Sequence, residues 1–252
     1  MIINCLCLSS SPQHTLYQAL IYQDIDLILS VVTQHSSTLD LNIKAQGRGL
    51  LHLATAYQDI KLIQLLVKSQ IDIDLPNDLG QTSVFIACLS GRLDIVKILF
   101  NADADIYQSD QEGTTPFMVA CWRGHVPVVK FLYENRSSVY DRNHHNESAL
   151  SLSWAWSQLS SLKYLISIMI QDVLNLISIA KNIEEPEVLK SKILMYSGIT
   201  EQQQDTIDSL YKFGTDILLP IVEVLSGQAA SNSIYDLSQI ILKLDEVPMS
   251  CY

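Results

Sequence analysis

The sequence predicts an all-α fold in which helix pairs stack side by side into a solenoid. One segment recurs without gaps as Gly47–Leu66, Gly80–Leu99 and Gly113–Leu132, and the glycines that open the three copies lie 33 residues apart. Each copy contains two stretches whose apolar residues recur at helical spacing. Because a single helix pair cannot bury its apolar face alone, such a repeat predicts that neighbouring pairs stack against one another.

Composition and charge limit the possible partners. The 252 residues are 48% hydrophobic and 17% charged, so we expect one large domain or two small ones with enough apolar surface to fold. The net charge is −11, and residues 171–252 contain five Lys, no Arg and twelve Asp or Glu. This acidic balance disfavours nucleic acid and anionic membrane surfaces, because both attract basic proteins.

We expect neither a secretion signal nor a membrane span. Met1–Leu8 is apolar but has no basic residue before it, as a signal peptide would have. The most apolar long stretch, Leu162–Ala180, is interrupted by Lys163, Asp172 and other polar residues. Five cysteines are an odd number, and we interpret them as reduced thiols in a cytoplasmic protein.

Each copy carries residues that suit turns and helix starts. Glycine at the first position suits a turn with positive φ. Thr82 and Thr115 lie where a helix N-cap is needed, and Pro116 follows at a first-turn position that tolerates proline. Three alanines mark the point where neighbouring helices should approach closely: Ala54, Ala87 and Ala120.

These features resemble the ankyrin repeat, a unit of about 33 residues with a Thr-Pro-Leu-His-x-Ala core. The third copy is the fullest match, with Thr115, Pro116 and Ala120, whereas the first copy has His52 of the core but Gln58 where a turn glycine is usual. The resemblance implies stacked helix pairs with projecting hairpin fingertips, and a protein that binds other proteins.

Two weaker copies extend the stack to about five helix pairs. Advancing 33 residues from Gly113 reaches Asn146, and near the start Tyr22-Gln-Asp-Ile recurs as Tyr57-Gln-Asp-Ile. We therefore predict an ankyrin-repeat domain over residues 1–170. Its units are predicted at about residues 12–44, 45–77, 78–110, 111–143 and 144–169.

Residues 171–252 lack the period and are predicted to form a helical cap or a separate module. Helices are expected at about residues 171–182, 185–196, 201–213, 215–226 and 232–244. Glycines near helix ends are expected at Gly198, Gly214 and Gly227. Trp154 stands where alanine is usual, so we expect it to pack against residues after 171. Leu218–Leu225 loosely resembles the leucine-proline start of an F-box, a ubiquitin-ligase adaptor, although a kinked helix at Pro220 explains it equally well.

We predict no catalytic, cofactor-binding or metal-binding residues, and infer no small-molecule substrate. The chain has no glycine-rich nucleotide motif, nucleophile elbow or His-Glu-x-x-His motif. His144 and His145 are adjacent at a predicted fingertip, where they do not converge easily on one metal ion. Cys88 and Cys121 occupy equivalent positions of stacked helices about 10 Å apart, beyond the roughly 7 Å that a disulfide spans between Cα atoms. We expect both to be free core residues.

The resemblance to ankyrin proteins implies a groove for a partner protein, lined by the fingertips and by the exposed end of each first helix. Carried over copy by copy, it predicts ten groove residues: Tyr22, Arg48, Tyr57, Leu89, Gln111, Glu112, Trp122, Arg123, His145 and Trp156. Because Trp and Arg dominate binding hot spots, Trp122 and Arg123 are favoured above the others.

Together these observations favour a non-catalytic scaffold that binds a partner protein. An alternative is an adaptor whose residues 171–252 recruit other machinery, such as a ubiquitin ligase; an enzyme with ankyrin targeting is the least favoured. The Ile-, Ser- and Gln-rich composition and the degenerate repeats also resemble the ankyrin proteins that intracellular bacteria deliver into host cells. That resemblance would place the protein in the host cytosol.

Overall fold

The computed structural model describes residues 11–179, 191, 193 and 212–225. Within them the chain forms two compact units, the first ending at Ser148 and the second beginning at Ala149. Several predictions lie outside the described residues, wholly or for most of their length: the helices at 185–196, 201–213 and 232–244, and the glycines Gly198 and Gly227.

The first unit consists of four consecutive helix pairs. Its helices are α1 (Pro12–Tyr22), α2 (Ile25–His35), α3 (Leu50–Ala56), α4 (Ile60–Lys68), α5 (Ser83–Leu89), α6 (Leu93–Phe100), α7 (Pro116–Trp122) and α8 (Val126–Glu134). The first helices contact one another in the order α3, α5, α7, and the second helices do so in the order α2, α4, α6, α8. The pairs therefore stack in two layers, which confirms the predicted all-α repeat fold.

The first helices of the third and fourth pairs begin at the predicted capping residues. Thr82 Oγ1 accepts a hydrogen bond from the Phe85 amide at 3.3 Å, and Thr115 Oγ1 accepts one from the Met118 amide at 3.2 Å. Such caps are worth about 1 kcal/mol each, because they satisfy a backbone donor that the helix leaves open. Pro116 is the first residue of α7, where its missing amide hydrogen leaves no bond unmade.

The fingertips between the pairs turn at a residue with positive φ. Four equivalent residues have φ between 63° and 78°: Gly47, Gly80, Gly113 and Asn146. In three fingertips one side-chain oxygen accepts two backbone amide hydrogens across the turn, that of Asn77, Asp110 or Asn143. The local sequence therefore closes each of these turns without a regular strand pair.

The first fingertip is built differently. The position equivalent to Asn77 is Lys44, whose ammonium group cannot accept a hydrogen bond. The chain instead forms a short hairpin of β1 (Lys44–Ala45) and β2 (Arg48–Gly49). Gln46 and Gly47, which connect the strands, both have positive φ, as the common two-residue hairpin turn requires.

Backbone hydrogen bonds join each fingertip to the next. They run from the amides of Asp78, Gln111 and His144 to the carbonyl oxygens of Gly47, Leu79 and Glu112 at 2.9–3.0 Å. The approach is close: a Cβ atom on Gly80 would lie 2.7 Å from the Gln111 amide nitrogen. Glycine is therefore required at position 80 both for its φ of 78° and for space.

A left-handed residue separates the two helices of every pair. The five equivalent residues have φ between 55° and 76°: Gln23, Gln58, Gly91, Gly124 and Ser157. Gln58 thus keeps the conformation of the glycine that it replaces, although a non-glycine residue pays about 1–2 kcal/mol for it. The side chain of Gln58 accepts a hydrogen bond from Nη1 of Arg92 in the next pair, and Arg92 also forms an ion pair with Asp94 at 2.6 Å.

At the next pair an imidazole replaces this contact. His125 Nε2 donates to the Leu89 carbonyl oxygen at 3.2 Å, and its ring covers Gly91. A Cβ atom on Gly91 would lie 2.5 Å from Nδ1 of His125. The glycine therefore makes room for the histidine of the following repeat.

The core of the stack contains the predicted small residues. Ala54, Ala87 and Ala120 are fully buried, and so are Cys88 and Cys121, which are free thiols. Burial raises the pKa of both thiols, because the thiolate would lose its hydration.

The second unit contains a fifth helix pair and a further helical segment. Its elements are α9 (Ala149–Ala155), α10 (Leu159–Ile179), a π-helical turn (Phe213–Leu218) and α11 (Leu219–Leu225). The prediction that a new helix begins near residue 171 is wrong, because buried residues continue at helical spacing from Leu162 through Met169 to Val173 within α10. The proposed division at residue 170 therefore falls inside a helix, and the division itself stays a prediction.

Gly214, which was expected near a helix end, is the second residue of the π-helical turn. Gly214 is buried inside the π-helical turn, where a Cβ atom would lie 2.7 Å from Ile166 Cδ1 and 2.8 Å from Leu150 Cδ2. Its absent side chain lets this segment approach α9 and α10 closely. Pro220 is the second residue of α11, which begins directly after the π-helical turn; proline has no amide hydrogen to continue a helical hydrogen-bond pattern.

Candidate protein-interaction surface

The ends of the first helices bring aromatic groove residues to the surface. Tyr22 is the last residue of α1 and Tyr57 directly follows α3; they are 75% and 55% exposed. Leu89 and Trp122, the last residues of α5 and α7, are half-buried, whereas Arg123 is exposed. The cause is local: α3, α5 and α7 are short and mostly buried, and each is followed by a left-handed turn, so the residues at its end lie at the edge of the buried layer.

Trp122 and Arg123 form one composite surface. Cζ of Arg123 lies 4.9 Å from the centroid of the Trp122 ring, within the cation–π range of about 6 Å. The guanidinium is therefore held on a ring that is itself partly packed into the repeat. A positioned side chain loses less entropy when a partner binds it.

Three of the fingertip groove residues, Gln111, Glu112 and His145, are exposed and bonded to neighbouring fingertips. His145 Nε2 lies 2.9 Å from Oε2 of Glu112 on the preceding fingertip. Gln111 Nε2 donates to the Asp78 carbonyl oxygen at 2.9 Å. Exposed pairs such as His145 and Glu112 contribute little to the free energy of unfolding. Their effect is instead to hold the two side chains in defined positions at the surface.

Between the first two helix pairs, the fingertip and the helix end enclose a cavity of about 170 Å³. It is lined by Leu20, Gln23, Ala45, Gln46, Arg48 and Leu53. Gln46 Nε2 donates to the Ile21 carbonyl oxygen at 3.4 Å, and Tyr57 Oη donates to Gln23 Oε1 at 3.2 Å. These two bonds bring the β1–β2 hairpin and Tyr57 up to the end of α1.

Gln23 is a site residue that the sequence analysis missed. Its position was interpreted only as a turn between helices. A signal was present, because Gln23 and Gln58 occupy equivalent turn positions that favour glycine. A long polar side chain at a position that favours glycine indicates that the side chain makes a specific contact.

The same fingertip carries two exposed cations. Among the described residues, the side chains of Lys44 and Arg48 have no hydrogen-bond or ion-pair partner. Buried His52 lies below them: its Nδ1 accepts from the Gly49 amide at 3.1 Å and its Nε2 donates to the Gln81 carbonyl oxygen at 2.9 Å. Burial first, and then the charges of Lys44 and Arg48, lower the pKa of His52. The imidazole is therefore neutral, with its hydrogen on Nε2.

The last groove residue, Trp156, belongs to the second unit. It directly follows α9 and is 56% exposed, and Trp154 is 39% exposed. The expectation that Trp154 packs against residues after 171 stays a prediction.

Candidate metal clusters and membrane-spanning helices are both absent from the residues that the structure describes. No three His, Cys, Asp or Glu side chains in that part of the chain are grouped closely enough to hold a metal ion. None of the helices that the structure describes combines the length and apolar character of a membrane span.

Comparison with known families agrees with the stacked pairs and fingertips. A family profile described as ankyrin repeats (3 copies) matches residues 16–110, and one described as ankyrin repeats (many copies) matches residues 101–153. Together they cover more than half of the sequence. The chain belongs to the ankyrin-repeat family. Ankyrin repeats are generic protein–protein interaction modules and are typically non-catalytic. No curated protein matches the chain.

Proposed function

We propose that this ankyrin-repeat protein is a non-catalytic scaffold that binds a partner protein through the groove residues. The observation that supports the proposal is the exposure of Tyr22, Tyr57 and Arg123, which lie at or directly after the ends of the first helices of their pairs. Tyrosine, tryptophan and arginine dominate binding hot spots. Presented from a rigid stack, they lose little entropy on contact, so a small number of them can supply most of the affinity.

The test begins with affinity capture from a eukaryotic lysate, followed by binding measurements with the captured partner. Arg123→Ala should weaken binding by on the order of 2 kcal/mol, which is about 30-fold in Kd, without changing the melting temperature. Trp122→Ala should lower both affinity and stability, because the ring is half-buried. Lys61→Ala, at an exposed position of α4, is the matched control. Unchanged affinity in the two groove variants and in a Tyr22→Ala/Tyr57→Ala variant would show that the partner does not bind at the groove positions inferred from the resemblance to ankyrin proteins.

The same variants distinguish the adaptor alternative from the single-partner scaffold. If these variants weaken one captured protein but leave a second captured protein bound as tightly as before, the second uses another surface, as recruitment by residues 171–252 requires. Loss of every captured protein together favours the single-partner scaffold.

We propose a cytoplasmic setting, and a host cytosol if the protein is delivered by an intracellular bacterium. The setting is supported by the free thiols of Cys88 and Cys121 and by the composition of the sequence. Fractionation of infected or transfected cells tests it, and recovery of the protein from a secretory compartment contradicts it.

A further inference from the structure

We infer that the cavity between the first two repeats receives an Asp or Glu side chain from an acidic, linear segment of the partner protein. The inference rests on the proposed function, since it identifies what part of the groove binds. It adds Gln23, Gln46 and Lys44 to the groove residues Tyr22, Arg48 and Tyr57.

The volume of the cavity limits the occupant to about one side chain. Small-molecule sites typically have about 300–1,000 Å³, whereas this cavity has about 170 Å³. Leu20 and Leu53, which line it, are buried, and Gln46 and Arg48 are exposed. The rim that a partner meets first is therefore polar.

The free hydrogen-bonding groups of the rim are mainly donors. The Arg48 guanidinium has five N–H donors and no described partner. Gln23 Oε1 is occupied by the Tyr57 hydroxyl, which leaves the Nε2 donors of Gln23 available. A carboxylate has only acceptors, and arginine binds it through two parallel hydrogen bonds. The rim is thus complementary to an Asp or Glu side chain.

Gln46 suits the backbone of the same segment. Its Nε2 is bound to the Ile21 carbonyl oxygen, so its Oε1 remains available to accept a peptide amide hydrogen. Exposed Tyr57 bonds the lining residue Gln23, and exposed Tyr22 precedes Gln23 in the chain; both rings offer apolar surface to the residues that flank the carboxylate. An acidic residue with apolar neighbours therefore fits this surface.

The local charge directs such a segment to this fingertip. The chain has a net charge of −11, so most of its surface repels an acidic peptide. Lys44 and Arg48 are both exposed here, and their charges contribute to the lowered pKa of buried His52. Asp78 approaches Gly47 on the same hairpin but forms no ion pair with either cation. Electrostatic complementarity of this kind sets specificity and association rate.

The test selects a displayed library of random linear peptides on the full-length protein. The enriched peptides should share an Asp or Glu. A synthetic peptide of this sequence should bind about tenfold more tightly than its Asn or Gln counterpart, as expected for a charge-assisted hydrogen bond worth about 1.4 kcal/mol or more. With Arg48→Gln this difference between the two peptides should disappear, whereas Lys61→Gln on α4 should leave it unchanged.

Each outcome decides between the two proposals. The Arg48 side chain has no described partner, so Arg48→Gln should keep the wild-type melting temperature. Failure to enrich acidic peptides, or an acid preference that survives Arg48→Gln, overturns the inference. If the selected peptides depend on Arg123 but are indifferent to Arg48, the inference falls while the scaffold function stands. If they depend on neither residue, the groove itself is contradicted.

Discussion

Replacing Gly91 by alanine perturbs the contact that joins the third and fourth repeats, and its effect can be worked out from the structure. Gly91 has a φ of 69°, and an alanine there costs about 1–2 kcal/mol from the left-handed backbone alone. Its Cβ would also lie 2.5 Å from Nδ1 of His125. The ring must then move by about 1 Å to reach an ordinary contact distance of about 3.5 Å.

Displacing the ring breaks the 3.2 Å hydrogen bond from His125 Nε2 to the Leu89 carbonyl oxygen, which is worth about 1 kcal/mol. Gly91→Ala should therefore lower the free energy of unfolding by about 2–3 kcal/mol. His125→Ala loses the same hydrogen bond and should lower it by about 1 kcal/mol. In the double variant the bond is lost only once and the clash is absent.

Urea unfolding, followed by circular dichroism on the four proteins, measures this as a double-mutant cycle. The double variant should lose about 1 kcal/mol less than the sum of the single variants. Additivity within about 0.5 kcal/mol would refute the reasoning, because it would mean that the imidazole does not impose glycine at position 91.

Two further predictions concern buried titratable groups. Because the pKa of His52 is lowered in the fold, the unfolded chain binds its proton more readily, and the stability that neutral His52 provides is lost as pH falls below about 6.5. The stability difference between wild type and His52→Leu should therefore shrink between about pH 7 and pH 5 in urea unfolding; a constant or widening difference contradicts the assignment. Cys88 and Cys121 should resist a thiol reagent in the native protein and both react after denaturation without reductant. A recovered peptide linking the two would refute the stacking.

The repeated positions were the part of the fold that could be predicted from sequence. Glycine spacing located the fingertips, and Thr82 and Thr115 located the starts of α5 and α7, because those features depend on local backbone chemistry alone. Even Gln58 follows the pattern, since the left-handed turn of its repeat is imposed by the helices on either side. The repeat period therefore predicts the left-handed conformation of Gln58 correctly, although glutamine does not favour that conformation.

The contacts between repeats could not be predicted, since they depend on pairs of residues that no local rule connects. Nothing in the sequence joins His125 to Gly91 or Arg92 to Gln58. The continuation of α10 to Ile179 was missed because we expected the helix to end where the repeat period ends. In the structure the helix continues, and Val173 beyond that point is buried. Likewise Gly214 was expected only near a helix end, and its close packing against Ile166 was not predicted.

The candidate site coincides with the places where the chain departs from its own repeat. Lys44 stands where Asn77 and Asp110 close the other turns, and because lysine accepts no hydrogen bond the fingertip folds as a two-strand hairpin. That hairpin positions Gln46 to bond the Ile21 carbonyl oxygen and so forms one wall of the cavity. Positions that break a local pattern without a gain in stability are where function is expected. On that reasoning the first fingertip, whose sequence matches the repeat less well than the third, is the better place to look for specificity, and Arg48 is its most informative residue.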